Sequence, residues 1–352
     1  MWRALKPVVC GLLCCAGATG GLGAAAAGAG KSADHVAVGA SQPAGKPGWL
    51  ELGTVPAPFE ALPALSVTEL PAVAGVPPPF ARKPVRTFLP ASAASDPCRD
   101  WGVRLPNVKP ALCTAGRLVP TEGRSNQGRT LFMRDVVAPE AQLRVLVVGA
   151  IHGDELSSAS LALHWIQNAE ETPFNAHWRF IPALNPDGLM ARPPTRVNAK
   201  GVDLNRNFPT PNWARDAKIY WEKRTRKDPR RWPGPKPLSE PESRYLHDEM
   251  ARFQPDLIVS IHAPYGVLDF DGPGTPPPKL GRLYLDQVGI FPGSLGNYGG
   301  VHKGMPVVTI ELPNAMRTPL EAEMRQMWLD LLRWMSERIR PAHLAVRTGT
   351  GE

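Results

Sequence analysis

The stretch that most constrains this chain is residues 144–155, RVLVVGAIHGDE. Val145 to Val148 form a short apolar run without polar alternation, and Gly149 ends it. That pattern reads as a strand buried on both faces, the kind found at the centre of a parallel sheet. His152 and Glu155 follow at a spacing of three, so a buried strand delivers an imidazole and a carboxylate to one place. Alone the pair is weak evidence, because His and Glu fall at that spacing by chance in many loops and helices. Its weight comes from what the rest of the chain sets beside it.

Periodic structure begins near residue 130. TLFMRDVV (130–137) reads as a strand, and LSSASLALHWIQNAEE (156–171) as a helix with Leu156, Ala159, Leu163 and Ile166 on one face. WRFIPALN is a further strand, stopped by the turn signal Asn185-Pro186-Asp187-Gly188. GVDLNRNFP (201–209) reads as a polar loop, and the basic residues 223–232 as a solvent-exposed one. Ser239-Glu240-Pro241-Glu242 has the spacing of a capping box and opens a helix to about Arg252. DLIVSIH is a third buried strand, ending on His262, and PVVTIEL a fourth, carrying Glu311. Thr318-Pro319-Leu320-Glu321 caps a last helix whose Leu320, Met324, Met327, Leu331 and Met335 form a stripe read as core. The alternation implies an α/β fold: a mixed, mostly parallel sheet with helices on both faces, in a single catalytic domain at 121–343. In such sheets the working residues gather beyond the carboxyl ends of the strands, where His152 and His262 fall.

The first 27 residues carry Arg3 and Lys6, then an apolar run, then alanines, which is the layout of a cleaved signal peptide. An uncleaved anchor and a lipidated Cys15 are the competing readings. The first is disfavoured by the density of Gly and Ala, the second by Cys14 standing where a small residue is expected. The mature protein is therefore expected to be exported, periplasmic or secreted, with no stable membrane span. Residues 28–120 read as a Pro/Ala-rich linker or pro-region ending in a short connector, and 344–352 as a disordered tail. Loss of the signal leaves Cys98 and Cys113, close enough in sequence for a disulfide in an oxidising compartment. Removing Arg3 and Lys6 from the 40 basic residues leaves a net charge of about +6 against 32 acidic ones, too mild for a nucleic-acid partner. An anionic wall polymer is a possible attractor, and a solvated basic surface the plainer reading.

Zinc catalysis at a peptide bond needs three protein ligands and one open position. His152, Glu155 and His262 supply such a set for one Zn2+ ion, leaving it net positive charge with which to acidify water and polarise a carbonyl. Glu311, in an apolar strand, is the candidate general base. Arg196 is the first choice to face the developing oxyanion and Arg192 the second. Asn205 and Arg206 offer a hydrogen-bonding fork suited to a free carboxylate at the end of a peptide. His164, His177, His247, His302 and His343 lack partners at useful spacing.

Taken as an ordered set, HGDE, NPDG, RVNAKGVDLNRNFP, PLSEPES, SIHAPYG and TIELP resemble the zinc carboxypeptidase family that includes carboxypeptidases A and B. Within it the chain is most similar to the bacterial murein peptide amidase and deacylase-like branch. The resemblance covers about residues 144–313. It implies zinc on His152, Glu155 and His262, carboxylate binding at Asn205 and Arg206, an oxyanion arginine at Arg196 and the catalytic Glu at Glu311. Tyr298 lies in the general region of the family's mobile tyrosine, at a different distance from the Glu. The implied activity is hydrolysis of an amide bond beside a free carboxylate in a peptide or murein peptide, such as γ-D-Glu–diaminopimelate. Asp269 and Asp271 could meet the side-chain ammonium of diaminopimelate, but beside Gly272-Pro273-Gly274 such residues more often make a turn and are left outside the site. Two other readings stand: a zinc N-acyl amino acid deacylase of the succinylglutamate or aspartate type, and a non-catalytic module that binds wall peptides in the same cleft.

Overall fold

The computed structural model describes residues 96–340. The signal segment at 1–27, the Pro/Ala-rich stretch as far as residue 95 and the tail at 344–352 lie outside the described residues. In chain order the elements are α1 (Pro97–Asp100), α2 (Pro110–Ala115), β1 (Val119–Arg124), β2 (Thr130–Val137), β3 (Leu143–Val148), α3 (Leu156–Glu171), β4 (Ala176–Ile181) and α4 (Pro186–Met190). There follow α5 (Trp213–Ile219), α6 (Pro241–Phe253), β5 (Leu257–His262), β6 (Val267–Asp271), β7 (Lys279–Leu280), β8 (Leu283–Tyr284), β9 (Val307–Glu311) and α7 (Glu321–Arg338).

Seven strands form one mixed sheet in the order β1-β2-β4-β3-β5-β9-β6. The central four, β4, β3, β5 and β9, run parallel, while β1, β2 and β6 pair antiparallel at the edges. The unalternated run of β3 has its explanation in the two cores. Val145 and Val147 pack with Trp165, Ile166, Met327 and Trp328 from α3 and α7. Leu146 and Val148 pack with Leu246, Met250 and Phe253 from α6 on the other side. Both faces of the strand are dry, so polar alternation would bury unpaired groups.

The topology decides where chemistry can sit. After β3 the chain crosses by α3 to β4 on one side, whereas β5, reached by α6 on the opposite face, lies on the other side of β3. The strand order therefore reverses between β3 and β5, leaving a crevice at their carboxyl ends. His152 lies just past the end of β3, and His262 ends β5. Glu311 ends β9, directly opposite His262 in the ladder.

Several local expectations differ from the structure. Asn185 does not merely stop a strand; its side chain caps α4, accepting from the Gly188 N–H at 2.9 Å. The connector before residue 120 is folded: the Cys98–Cys113 disulfide links α1 to α2, and Trp101, Leu105 and Cys113 join the core. Neither expected cap on α6 or α7 forms, since both helices begin without a side-chain capping bond. Of the α7 stripe, Met324, Met327, Leu331 and Met335 are buried, but Leu320 precedes the helix and is 81% exposed. Among the described residues no helix is long and apolar enough to cross a membrane.

Met327 and Leu320 thus separate a period-based reading from real burial. Met327→Ala is expected to cost about 2–5 kcal/mol of unfolding free energy, and Leu320→Ala no more than about 0.5 kcal/mol. Denaturant titration of the two variants checks this, and equal losses would contradict the assigned core.

Candidate metal and catalytic site

The loop that follows β3 is positioned by backbone. Ala150 adopts a positive φ of 41°, which turns the chain out of the sheet, and its N–H donates to Ser158 Oγ at 2.9 Å. Gly153 then crosses the backbone of Gly188 so closely that a Cβ on Gly153 would lie 2.2 Å from the Gly188 carbonyl carbon. The same crossing holds the segment carrying Arg196, whose carbonyl accepts from the Gly153 N–H at 3.4 Å and from Asn185 Nδ2 at 3.1 Å. The HGDE and NPDG motifs are therefore two halves of one contact.

His152, Glu155 and His262 converge with ligand atoms all within 4.8 Å of one another, and all three are buried. His152 Nδ1 stands 2.8 Å from Glu155 Oε1, His262 Nδ1 3.0 Å from Glu155 Oε2, and the two Nδ1 atoms 3.1 Å apart. The outer nitrogens are engaged elsewhere. His152 Nε2 reaches Asp203 Oδ1 at 3.1 Å and His262 Nε2 reaches Ser260 Oγ at 3.0 Å. An acceptor on Nε2 favours the proton there and leaves Nδ1 lone pairs pointing inward. Burial alone would push the Glu155 carboxyl up, but His152 and His262 hold it well below the usual carboxylate range. Two imidazole nitrogens and a carboxylate facing one point are the donor set of a zinc site. Ligands about 2.0–2.2 Å from one such ion lie roughly 3.3–3.6 Å apart, close to the spacings here.

Asp203 was not among the candidates read from sequence. It is fully buried, and its carboxyl is held well below its ordinary range by Arg196 and His152 against the cost of burial. Its place in GVDLNRN, two residues before Asn205, was the available signal. The same loop is less polar in its surroundings than its composition suggested, since Leu204, Arg206 and Asn207 are buried. Asn207 satisfies its whole amide: Nδ2 donates to Pro233 O, Lys236 O and Ser239 Oγ, and Oδ1 accepts from Ser243 Oγ and the Glu240 N–H. Glu240 and Glu242 accept from Asn198 Nδ2 at 2.8 and 3.2 Å rather than capping α6. PLSEPES is thus the socket in which the site loop is seated.

Arg196, Asn205, Arg206, Glu311 and the three converging residues line one cleft. Arg192 is exposed and does not line it, which favours Arg196 of the two arginines. Arg196 Nη1 lies 3.5 Å from Glu155 Oε1 and its Nε 3.1 Å from Asp203 Oδ2. Asn205 Oδ1 accepts from the Leu295 N–H at 2.7 Å, leaving its Nδ2 within 3.5 Å of His262 Nε2. Arg206 is buried over the Phe291 ring, 4.4 Å from its centroid, and no carboxylate pairs with it among the described residues. Burial lowers its pKa, and its Nε has no hydrogen-bond partner. Glu311 Oε2 is likewise buried without a partner. Burial and the nearby Glu155 push the Glu311 carboxyl up, opposed by His262 and His152.

One tyrosine falls differently from the sequence reading, and another that the sequence did not single out takes a place in the cleft. Tyr298 does not face the cleft; it is buried in the core, stacked 5.8 Å from Phe208. Tyr265, 58% exposed, is the tyrosine that lines the cleft. The basic segment 223–232 is mostly exposed as expected, but Arg231 reaches the cleft and Arg230 pairs with Asp154 of HGDE at 2.8 Å.

Residues 116–270 match the family model described as zinc carboxypeptidase. Murein peptide amidase A of Escherichia coli (strain K12) is 31% identical over 235 residues, covering 62% of this chain and 94% of that protein. Murein peptide amidase A of Vibrio campbellii (strain ATCC BAA-1116) is 33% identical over 184 residues, covering 49% of this chain and 71% of that protein. The crystal structure of the murein-tripeptide amidase from Escherichia coli O157 matches at 26% identity and a TM-score of 0.42, covering 60% of this chain and 90% of that one. With a relative matched over nearly its whole length and a buried donor set of the right composition, the chain belongs to the zinc carboxypeptidase family, as a metallocarboxypeptidase or murein peptide amidase-like hydrolase.

Proposed function

We propose that the protein hydrolyses an amide bond next to a free carboxylate in cell-wall peptides, of the γ-D-Glu–diaminopimelate type. The observation that carries this reading is the meeting, in one cleft, of a metal-capable trio, a buried Glu311 with an unpartnered oxygen, and a buried Arg206 with no carboxylate of its own. Similarity to the murein peptide amidases supports the choice of wall peptides. The leader with Arg3, Lys6 and its apolar run supports export, which would place the enzyme where such peptides arise.

His152, Glu155 and His262 hold the ion, with Asp203 and Ser260 fixing the imidazole tautomers. Zinc, when bound, supplies a Lewis acid that polarises the scissile carbonyl and raises the acidity of water. Arg206 and the Nδ2 of Asn205 clamp the free carboxylate of the residue to be released. That fixes the scissile bond against Glu311. Glu311 takes a proton from the attacking water and passes it to the leaving amine, and its raised proton affinity suits both steps. Arg196 faces the oxygen on which negative charge develops. Once that charge forms, Arg196 exchanges part of its contact with Glu155 for the substrate.

Digestion of L-Ala-γ-D-Glu-diaminopimelate beside ordinary peptides and N-succinylglutamate, with zinc content measured and products identified by mass, tests the reading. Release of diaminopimelate supports it. Release of succinate alone would favour the deacylase, and binding without turnover the non-catalytic module. Glu311→Gln should retain zinc and lose roughly 100- to 10,000-fold in kcat; wild-type turnover by that variant would remove Glu311 from the mechanism. Asp203→Asn should weaken zinc affinity by about 10- to 100-fold in competition with a chromophoric chelator. Unchanged affinity would mean that Asp203 does not set the tautomer of His152.

A further inference from the structure

The basic segment that follows α5 has no part in the steps above, yet it carries most of the chain's charge. Between residues 215 and 231 stand eight basic side chains against three acidic ones, a net +5 of the +8 on the whole chain. Three of the eight are paired: Arg215 with Asp216, Arg230 with Asp154 and, at 3.7 Å, Arg231 with Asp228. Lys218, Lys223, Arg224, Arg226 and Lys227 are exposed and form no ion pair among the described residues. Like charges this dense repel one another unless anions lie over them.

The backbone holds these cations in a fixed array. α5 runs on into a π-turn (Tyr220–Arg224). The tip beyond it is closed by the Lys227 N–H donating to Trp221 O at 2.9 Å, the Asp228 N–H to Thr225 O at 3.0 Å and Trp221 Nε1 to Asp228 O at 2.8 Å. Arg226 and Lys227 take successive positive φ values of 54° and 61°, a conformation that residues with a Cβ disfavour and that those bonds enforce. At its far end the segment is tied to the catalytic loops. Arg230 reaches Asp154 at 2.8 Å, and the Trp232 carbonyl accepts from the Asp203 N–H at 2.8 Å.

Beside the basic segment lies a chamber of about 660 Å³, lined by Tyr220, Arg224 and Asp228 of that segment and by Val267 and Asp286. It opens into the catalytic cleft, because Arg231, Tyr265, Val288 and Phe291 line both. The cleft itself has about 90 Å³, the share of roughly three waters in the liquid, so a peptide cannot lie in it whole. The leaving residue ends at its carboxylate on Asn205 and Arg206, and what extends out of the cleft is therefore the retained, acyl part. We propose that the chamber and its basic wall form a docking track for the retained part of a polymeric substrate, so that the enzyme works on peptides still attached to an anionic wall strand. This rests on the reading above that the substrate is a wall peptide held by its free carboxylate. Such a strand is polyanionic, because each stem peptide carries free carboxylates, and it can meet several of the five unpaired cations at once. Tyr220, Tyr265 and Phe291 offer ring surface to its uncharged parts. Anionic lipid and nucleic acid share the charge but bring no amide bond to the cleft at the end of the track.

The test compares soluble glycan strands bearing L-Ala-γ-D-Glu-diaminopimelate stems with the free tripeptide, on the zinc-loaded protein at low salt. Wild-type enzyme should favour the strands by roughly 10-fold or more in kcat/KM per stem, and about 0.5 M NaCl should remove most of that preference. In the variant combining Lys218→Gln, Lys223→Gln, Arg226→Gln and Lys227→Gln the ratio should fall toward one. Thermal melting controls for folding, and a variant with four exposed cations removed should melt no lower than wild type. Equal kcat/KM on the two substrates in the wild type, or a ratio unchanged in the variant, would overturn the track. Binding to immobilised strands, phosphatidylglycerol vesicles and duplex DNA identifies the partner. Binding to strands that the variant loses supports the proposal, and variant-sensitive binding to vesicles or DNA but not to strands would reject it. Salt-sensitive strand binding that the variant loses, without release of diaminopimelate from either substrate, would reject the reaction and keep the track. Release from both substrates at equal kcat/KM would do the reverse.

Discussion

Everything in this molecule answers to a concentration of lone pairs. Two imidazole nitrogens and both oxygens of Glu155 face one another at about 3 Å at the buried floor of the cleft. Such an arrangement repels itself unless a cation sits among the donors, and burial raises the repulsion by removing solvent screening. The protein holds it together from outside. Asp203 Oδ1 and Ser260 Oγ lie against the outer imidazole nitrogens, and Arg196 lies against both Glu155 and Asp203. The sheet reversal between β3 and β5 then becomes intelligible, because it opens at their carboxyl ends the crevice in which His152 and His262 meet.

What could be read from the sequence was what local pattern encodes. An apolar run ending on a polar residue announces a buried strand with something exposed to chemistry at its end. His152, His262 and Glu311 all carry that mark. The two cores, the helical face of α3 and most of the α7 stripe follow from periods of 2 and 3.6 in the same way. Leu320 shows the limit, since it keeps the helical spacing but stands before the first turn and meets solvent.

The remainder of the site depends on contacts between segments far apart in sequence, and there local rules mislead. Ser239 and Glu242 have the spacing of a capping box, yet Glu240 and Glu242 serve Asn198 more than forty positions away. Asp269 and Asp271 sit next to Gly272-Pro273-Gly274 and so resemble a turn. Only the register of β6 on β9 shows that they belong to the cleft. Asp203 is ordinary in composition and becomes decisive because a histidine fifty-one positions earlier needs an acceptor. Tyr298 illustrates the converse, because the neighbourhood of a residue in sequence did not predict which way the chain would face it.

The crossing of Gly153 over Gly188 bears on how such a cleft can diversify. Here two main chains touch with no side chain between them, one carrying the metal loop and the other leading to Arg196. The seam is blind to residue identity beyond the requirement for glycine, so it transmits position without transmitting chemistry. On the opposite wall main chains also meet closely, a Cβ on Gly300 falling 2.5 Å from the Asp271 carbonyl carbon, but there the cleft is faced by side chains, Asp269 and Asp271 among them. One side of the cleft behaves as a fixed jaw that keeps the reacting groups in register, and the other as an exchangeable jaw whose side chains can be altered to suit a different leaving residue.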